Sequence, residues 1–224
     1  MQLTPDGYHL IDKETATRRG NNIHFGPAGD LLRNLGNRLG RPPLTLDCGC
    51  GSGQFGAMLQ AGGVPHLYVG VDVDREQLKA GRTFYGAGQY LVADIASLPF
   101  RDEAFDAVMS YGVLFIIQDM WEAVRELYRV ASSLVVMNLN VAPLGSTAMR
   151  LHYGKEDESY MWLPNVQNCM DRFQALGLPA PDASILWETP EDVGHSRKVY
   201  RGVTHRFNAS FVWYPTRGSE RERL

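Results

Sequence analysis

The sequence has no long apolar run, no excess of basic charge and very little cysteine. No stretch approaches the ~20 apolar residues that a membrane-spanning helix needs, so no membrane partner is expected. The opening residues, MQLTPDGYHLIDKETATRR, lack the apolar centre of a secretory signal, which gives the expectation of a cytoplasmic protein. Lysine and arginine number 22 against 25 acidic residues, a formal net charge of -3. Nothing in that balance advertises nucleic acid as a partner. The three cysteines are Cys48, Cys50 and Cys169. An odd count excludes a disulfide framework. The Cys-x-Cys spacing, with no second pair and no histidine nearby, is poor for zinc. Cys48 and Cys50 read as small loop fillers, and no metal site is expected. Nothing in the sequence fixes an oligomeric state.

What is present is ordinary for one sizeable domain. The chain has 224 residues, 44% hydrophobic and 21% charged. Strand and helix patterns alternate along it. Residues 29–39 predict a helix, and 44–47 a strand. Residues 54–61 predict a helix closed by Gly62-Gly63. LYVGVDV (67–73) is a strand, and Asp74 is placed to cap a helix from Arg75 that ends near Gly86. Short strands follow at 90–94 and 105–110, then a helix at 121–131 and a strong strand at 133–141. A helix at 163–176 and strands near 184–187 and 205–214 complete the pattern. The expectation is an α/β fold: a doubly wound, mostly parallel seven-stranded sheet with helices on both faces. Asp106 is expected at a solvated strand start, with no chemistry assigned.

The richest local signal is LTLDCGCGSGQFGAML (44–59). An apolar run meets Asp47, and Gly49, Gly51, Gly53 and Gly56 follow. So many glycines after a strand predict a sharp turn and a close approach by some other group. In an open parallel sheet this turn is where ligands bind. Gly51-Ser-Gly53-Gln-Phe-Gly56 matches the dinucleotide fingerprint GxGxxG. Asp47 followed by GxGxG matches a different pattern. A carboxylate repels a pyrophosphate and attracts an ammonium-bearing ligand, which favours the second. Asp72 ends the next strand, at the ~20-residue distance expected of an acid that grips ribose hydroxyls. Val73 is placed to pack on an adenine face, and Asp94 to accept from its amino group.

These stretches resemble the class I S-adenosylmethionine-dependent methyltransferases. LDCGCGSG (46–53) is similar to that family's first motif, GVDVD (70–74) to its second-strand acid, and ADIASLPFRDEAFDAV (93–108) to its third and fourth motifs. The resemblance covers Leu44 to about Val141. It implies S-adenosyl-L-methionine as cofactor, with Gly49, Cys50, Gly51 and Gly53 wrapped around the methionine portion and Asp47 supporting them. It further implies Asp72 on the ribose with Val73 beside it, Asp94 and Ile95 at the adenine, and the backbone near Tyr111 beside the cofactor.

Absences against the family's subtypes narrow the acceptor. SYGVLF (110–115) replaces the Asn/Asp-Pro-Pro-Tyr stretch of amino-group enzymes acting on DNA and proteins. No Pro-Cys nucleophile is present, and Met109-Ser110 and Met137-Asn138 stand where metal-dependent members carry carboxylates. Phe115 stands where many small-molecule members carry histidine. The expectation is therefore a methyltransferase acting on a small organic acceptor. Phe25, Phe115, Tyr160 and Trp162 are candidate acceptor contacts. His24, His152 and Tyr153 are candidate catalytic groups. An RNA or protein methyltransferase of the same fold, and a non-catalytic cofactor-binding protein, stay open as alternatives. The chain is read as one domain over 1–224. Within it, 1–43 is an N-terminal cap segment and 44–141 the cofactor-binding half. Residues 142–162 are read as a lid without regular structure, and 163–224 as a C-terminal helix and strands.

Overall fold

The computed structural model describes residues 2–3, 9–10, 26–86, 88–141, 146–153, 157–188 and 207–215. The two-residue strands β1 (Gln2–Leu3) and β2 (His9–Leu10) pair antiparallel. Helix α1 (Gly26–Leu39) leads into β3 (Leu44–Cys48), α2 (Gln54–Ala61), β4 (Leu67–Asp72), α3 (Arg75–Tyr85) and β5 (Gln89–Val92). Next come β6 (Phe105–Ser110), a 3-10 turn (Leu114–Ile116), α4 (Met120–Val130) and β7 (Ala131–Val141). The chain continues through β8 (Ser146–Tyr153), β9 (Asp157–Leu163), α5 (Val166–Ala175), β10 (Ala183–Glu188) and β11 (Phe207–Trp213).

Seven strands form one sheet in the order β10-β11-β7-β6-β3-β4-β5. β11 runs antiparallel to both neighbours, while β3 through β7 pair in parallel. This is the expected mostly parallel, doubly wound sheet. The chain moves outward from β3 through β4 to β5, then returns to place β6 on the other side of β3. The switch in strand order therefore lies between β3 and β6, the usual ligand crevice of such sheets.

Both faces are covered. One carries Leu46, Cys48, Val71 and Val108 beneath α4 and α5, with Phe173, Phe211 and Trp213 packed edge to face. The other carries Ala107, Met109 and Val136 beneath Leu32 and Leu35 of α1 and Phe55, Met58 and Leu59 of α2. Local signals place the helix ends. Asp74 caps α3 by accepting from Glu76 N at 2.9 Å and Gln77 N at 3.1 Å. Asn165 and Asn168 form a reciprocal capping box on α5.

Three expectations need correction. Within the stretch expected to lack regular structure, the described residues form β8 and β9, which pair as an antiparallel hairpin with His152 opposite Glu158 and Arg150 opposite Tyr160. A pairing register that shifts between Ser146 and Met149, with few β-branched residues, hides the hairpin from periodicity. Leu163 belongs to β9 rather than to the following helix, because the residue before Pro164 is pushed into extended conformation. Asp106 is not a solvated strand start. It receives both guanidinium nitrogens of Arg41, at 2.6 and 2.9 Å, and the Leu44 amide at 2.7 Å. Burial opposes its charge, but these partners outweigh burial and hold its pKa below the usual carboxylate range. It fastens the segment entering β3 to β6.

Candidate functional site

The glycine loop is sewn to the end of β4. Gly49 and Cys50 both donate to the Val71 carbonyl, at 2.8 and 3.0 Å. Gly51 donates to Asp72 Oδ2 at 2.8 Å, and Asp74 N donates to Asp72 Oδ1 at 2.9 Å. The carboxylate predicted to grip a ribose thus first shapes the loop and starts α3. Each oxygen carries one of these bonds and retains a second acceptor position. Asp72 is 9% exposed, while Val73 beside it is 67% exposed.

The close approach that the glycines require comes partly from the protein itself. Gly51 has φ 54°, a left-handed conformation, and a Cβ there would stand 2.9 Å from Gln77 Oε1. A Cβ at Gly49 would overlap the Val113 side chain. Val113 follows β6, so the Gly49–Val113 contact crosses the switch point. The same seam is closed by Ser110 Oγ donating to the Cys48 carbonyl at 3.0 Å, while on the β7 side Gly112 N donates to Asn138 Oδ1 at 3.2 Å.

Asp47 lies under the loop. It is 2% exposed and accepts the Tyr68 hydroxyl at 2.6 Å. Burial raises its carboxyl pKa to about 7; the Tyr68 bond opposes that rise and the Asp72 charge adds to it. The attraction for an ammonium group argued from the sequence thus has a more exposed source in Asp72, with Asp47 as support beneath. Sequence reasoning missed Tyr68. Its signal was there: strand alternation puts Tyr68, Gly70 and Asp72 on one face, in register with Thr45 and Asp47.

The remaining candidates scatter more widely. Asp94 is exposed and accepts from Ala96 N at 2.9 Å, closing a local turn. Ile95 is 4% exposed and its side chain packs in the core, which leaves only its backbone for a ligand. Tyr111 stacks on Phe55 with ring centroids 4.9 Å apart, and burial pushes its hydroxyl pKa up. Phe115 is half-buried in the 3-10 turn. Trp162 packs against the main core, and its indole N–H donates to the Ile117 carbonyl at 2.6 Å. This contact sets β9 against the turn after β6, at the carboxyl end of the sheet. His24 and Phe25 lie outside the described residues, as do the side chains of His152, Tyr153 and Tyr160. Cys48 and Cys50 are free and buried, and burial raises both thiol pKa values, so they fill space rather than react. Among the described residues, no group of three or more His, Cys, Asp and Glu side chains is placed to hold a metal. Among them, too, no helix is long and apolar enough to cross a membrane.

Residues 46–134 match the family model described as a methyltransferase domain. A malonyl-[acyl-carrier protein] O-methyltransferase of Erwinia pyrifoliae is 36% identical over 112 residues, 47% of this chain and 42% of that protein. The chain spans less than half the length of this and several other curated relatives it matches. A demethylmenaquinone methyltransferase of Roseiflexus castenholzii is 30% identical over 178 residues, 71% of this chain and 70% of that protein. Among solved structures, a SAM-dependent methyltransferase of Methanosarcina mazei superposes with a TM-score of 0.64 at 15% identity, over 83% of this chain and 98% of that one.

Proposed function

The chain belongs to the class I S-adenosylmethionine-dependent methyltransferase family, and from that membership we propose that it methylates a small organic acceptor, with S-adenosyl-L-methionine as methyl donor. The observation that carries this reading is the Asp72 carboxylate. It holds the glycine loop through Gly51 N, keeps acceptor capacity on both oxygens and stands beside the exposed Val73. That combination fits a ribose diol and an adenine face. The cofactor supplies an electrophilic methyl group on a sulfonium. The chain's own part is binding and orientation: Asp72 takes the hydroxyls, Gly49, Gly51 and Gly53 present backbone without side chains, and Phe115 offers an apolar wall. Holding an already nucleophilic acceptor in line supplies much of the rate, without a general base.

Two relatives act, by their names, on a carrier-bound malonyl group and on a demethylmenaquinone. Both names point to small organic acceptors rather than to RNA. The buried, unpaired cysteines suit the reducing cytoplasm, where we place the enzyme. Calorimetry with S-adenosylhomocysteine and with NAD tests the cofactor, and methyl transfer from labelled cofactor to small acceptors and to tRNA tests the substrate. Binding of NAD instead, or transfer to tRNA alone, overturns the reading.

A further inference from the structure

A second cleft opens at the other end of the sheet. It lies beside α2, at the amino-terminal ends of β3, β4 and β5, and holds about 720 Å³. That is within the ~300–1,000 Å³ typical of small-molecule sites. Four rings line it: His66, Tyr68, Tyr85 and Tyr90. Tyr68 meets His66 edge to face at 6.1 Å and Tyr90 at 5.9 Å. The hydroxyl of Tyr68 is anchored on Asp47, so this ring forms a fixed wall between the cleft and the glycine loop.

Among the described residues, the lining contains no Asp, Glu, Lys or Arg. A cation finds no carboxylate there and an anion no guanidinium or ammonium. Burial lowers the His66 pKa, which keeps the imidazole neutral. Its Nδ1 lies 2.7 Å from the Val64 carbonyl, which assigns the ring proton to Nδ1 and leaves Nε2 as an acceptor. Gln60 and Gln89, both exposed at the rim, add carboxamides that donate and accept. We propose that this cleft binds a neutral, planar aromatic small molecule carrying a hydrogen-bond donor. It is separate from the loop at the carboxyl ends of the strands, and the proposal does not depend on the methyl-transfer reading.

The probe is indole, titrated into the full chain by ligand-observed NMR and calorimetry, beside its anionic and cationic counterparts indole-3-acetate and tryptamine. The expected result is saturable indole binding at millimolar concentration or below, with both charged analogues at least about tenfold weaker. Gln60→Trp and Gln89→Trp, which fill the cleft from exposed positions, should abolish binding while far-UV circular dichroism shows a folded chain. Saturating S-adenosylhomocysteine should not displace indole. Absence of binding, equal binding of the three probes, undiminished binding in both tryptophan variants, or displacement by S-adenosylhomocysteine each overturns the proposal.

Discussion

Two loops of this molecule are each held by a carboxylate that accepts backbone amides, but the two carboxylates differ in their company. In the segment between β5 and β6, Glu126 of α4 accepts Leu98 N at 2.9 Å. Arg129 closes on the same carboxylate through two nitrogens, both at 2.7 Å, and also donates to the carbonyls of Leu98 and Phe100 and to Asp102. At the glycine loop, Asp72 accepts Gly51 N and Asp74 N, and no described arginine or lysine is paired with it. The first loop is neutralised within the protein, and its carboxylate serves structure alone. The second carries no described counter-charge and keeps acceptor capacity on both oxygens. Loops of similar irregularity thus differ in whether the protein supplies the counter-charge, and the loop without it is the one we propose as the site.

The largest expected effect breaks the scaffold side of this contrast. Arg129→Met leaves Glu126, 7% exposed, without its cation. Removing the charged partner of this part-buried, hydrogen-bonded carboxylate costs up to about 3 kcal/mol. Arg129 holds the Glu126 pKa down by hydrogen bonding first, against burial, so the loss should shrink as pH falls and Glu126 protonates. Urea denaturation reads the loss directly. Affinity for S-adenosylhomocysteine, measured below the unfolding transition, should stay unchanged. Loss of affinity with full stability would show that the two loops do not differ as described.

Asp72→Asn tests the site side. An amide retains one acceptor and turns an NH₂ toward a backbone N–H. Losing charged hydrogen bonds of this kind costs about 1.5–3 kcal/mol, or roughly ten- to a hundredfold in the dissociation constant for S-adenosylhomocysteine. The melting temperature should fall less than in Arg129→Met. Unchanged affinity by calorimetry would remove Asp72 from the binding surface.

The site side was also the more legible in sequence. Asp47, the glycines, Asp72 and the Asp74 cap lie within one strand-turn-helix-strand unit, where spacing along the chain is nearly spacing in the fold. The sheet followed for the same reason, since β3 to β7 carry strong apolar runs. The scaffold partners were not legible. Arg129 reaches back some 30 positions to Leu98 and Phe100, and Arg41 reaches 65 to Asp106. No local pattern announces such a pair. The β8–β9 hairpin escaped because its register is irregular and its strands are poor in β-branched residues. Asp47 was found, but not its depth, because the Tyr68 hydroxyl that meets it comes from the neighbouring strand.

A third carboxyl sharpens the comparison, because it is neither paired with a cation nor open. Asp47 titrates at about 7 when folded, against 3.8 for the ordinary group, with burial as the main cause. The folded chain therefore holds its proton where the unfolded chain does not. Stability from this group is full below pH ~4 and is lost as pH rises through about 7, at up to about 1.4 kcal/mol per pH unit. Asp47→Asn cannot ionise and still accepts the Tyr68 hydroxyl through its carbonyl oxygen. Its melting temperature should vary less between pH 5 and 8 than that of the wild type, and at pH 8 it should be the higher of the two. Parallel profiles for the two proteins would place the titration elsewhere.

The smallest expected effect concerns Trp162, where the scaffold and the acceptor side meet. Its indole N–H donates to the Ile117 carbonyl, just past the 3-10 turn that carries Phe115. The ring is half-buried against the core. Trp162→Phe keeps an aromatic body and deletes the hydrogen bond, at a cost of about 1 kcal/mol. If the hairpin only seats α5, the variant melts slightly earlier and turns over normally. If it also borders the acceptor, loosening the Ile117 tether shifts the wall at Phe115, and the acceptor's KM rises while S-adenosylhomocysteine affinity holds. We expect the second pattern, because the tether ends on the turn beside the crevice rather than in the body of α5. A normal KM would return Trp162 to packing and leave the acceptor wall to Phe115 and the segment before α1.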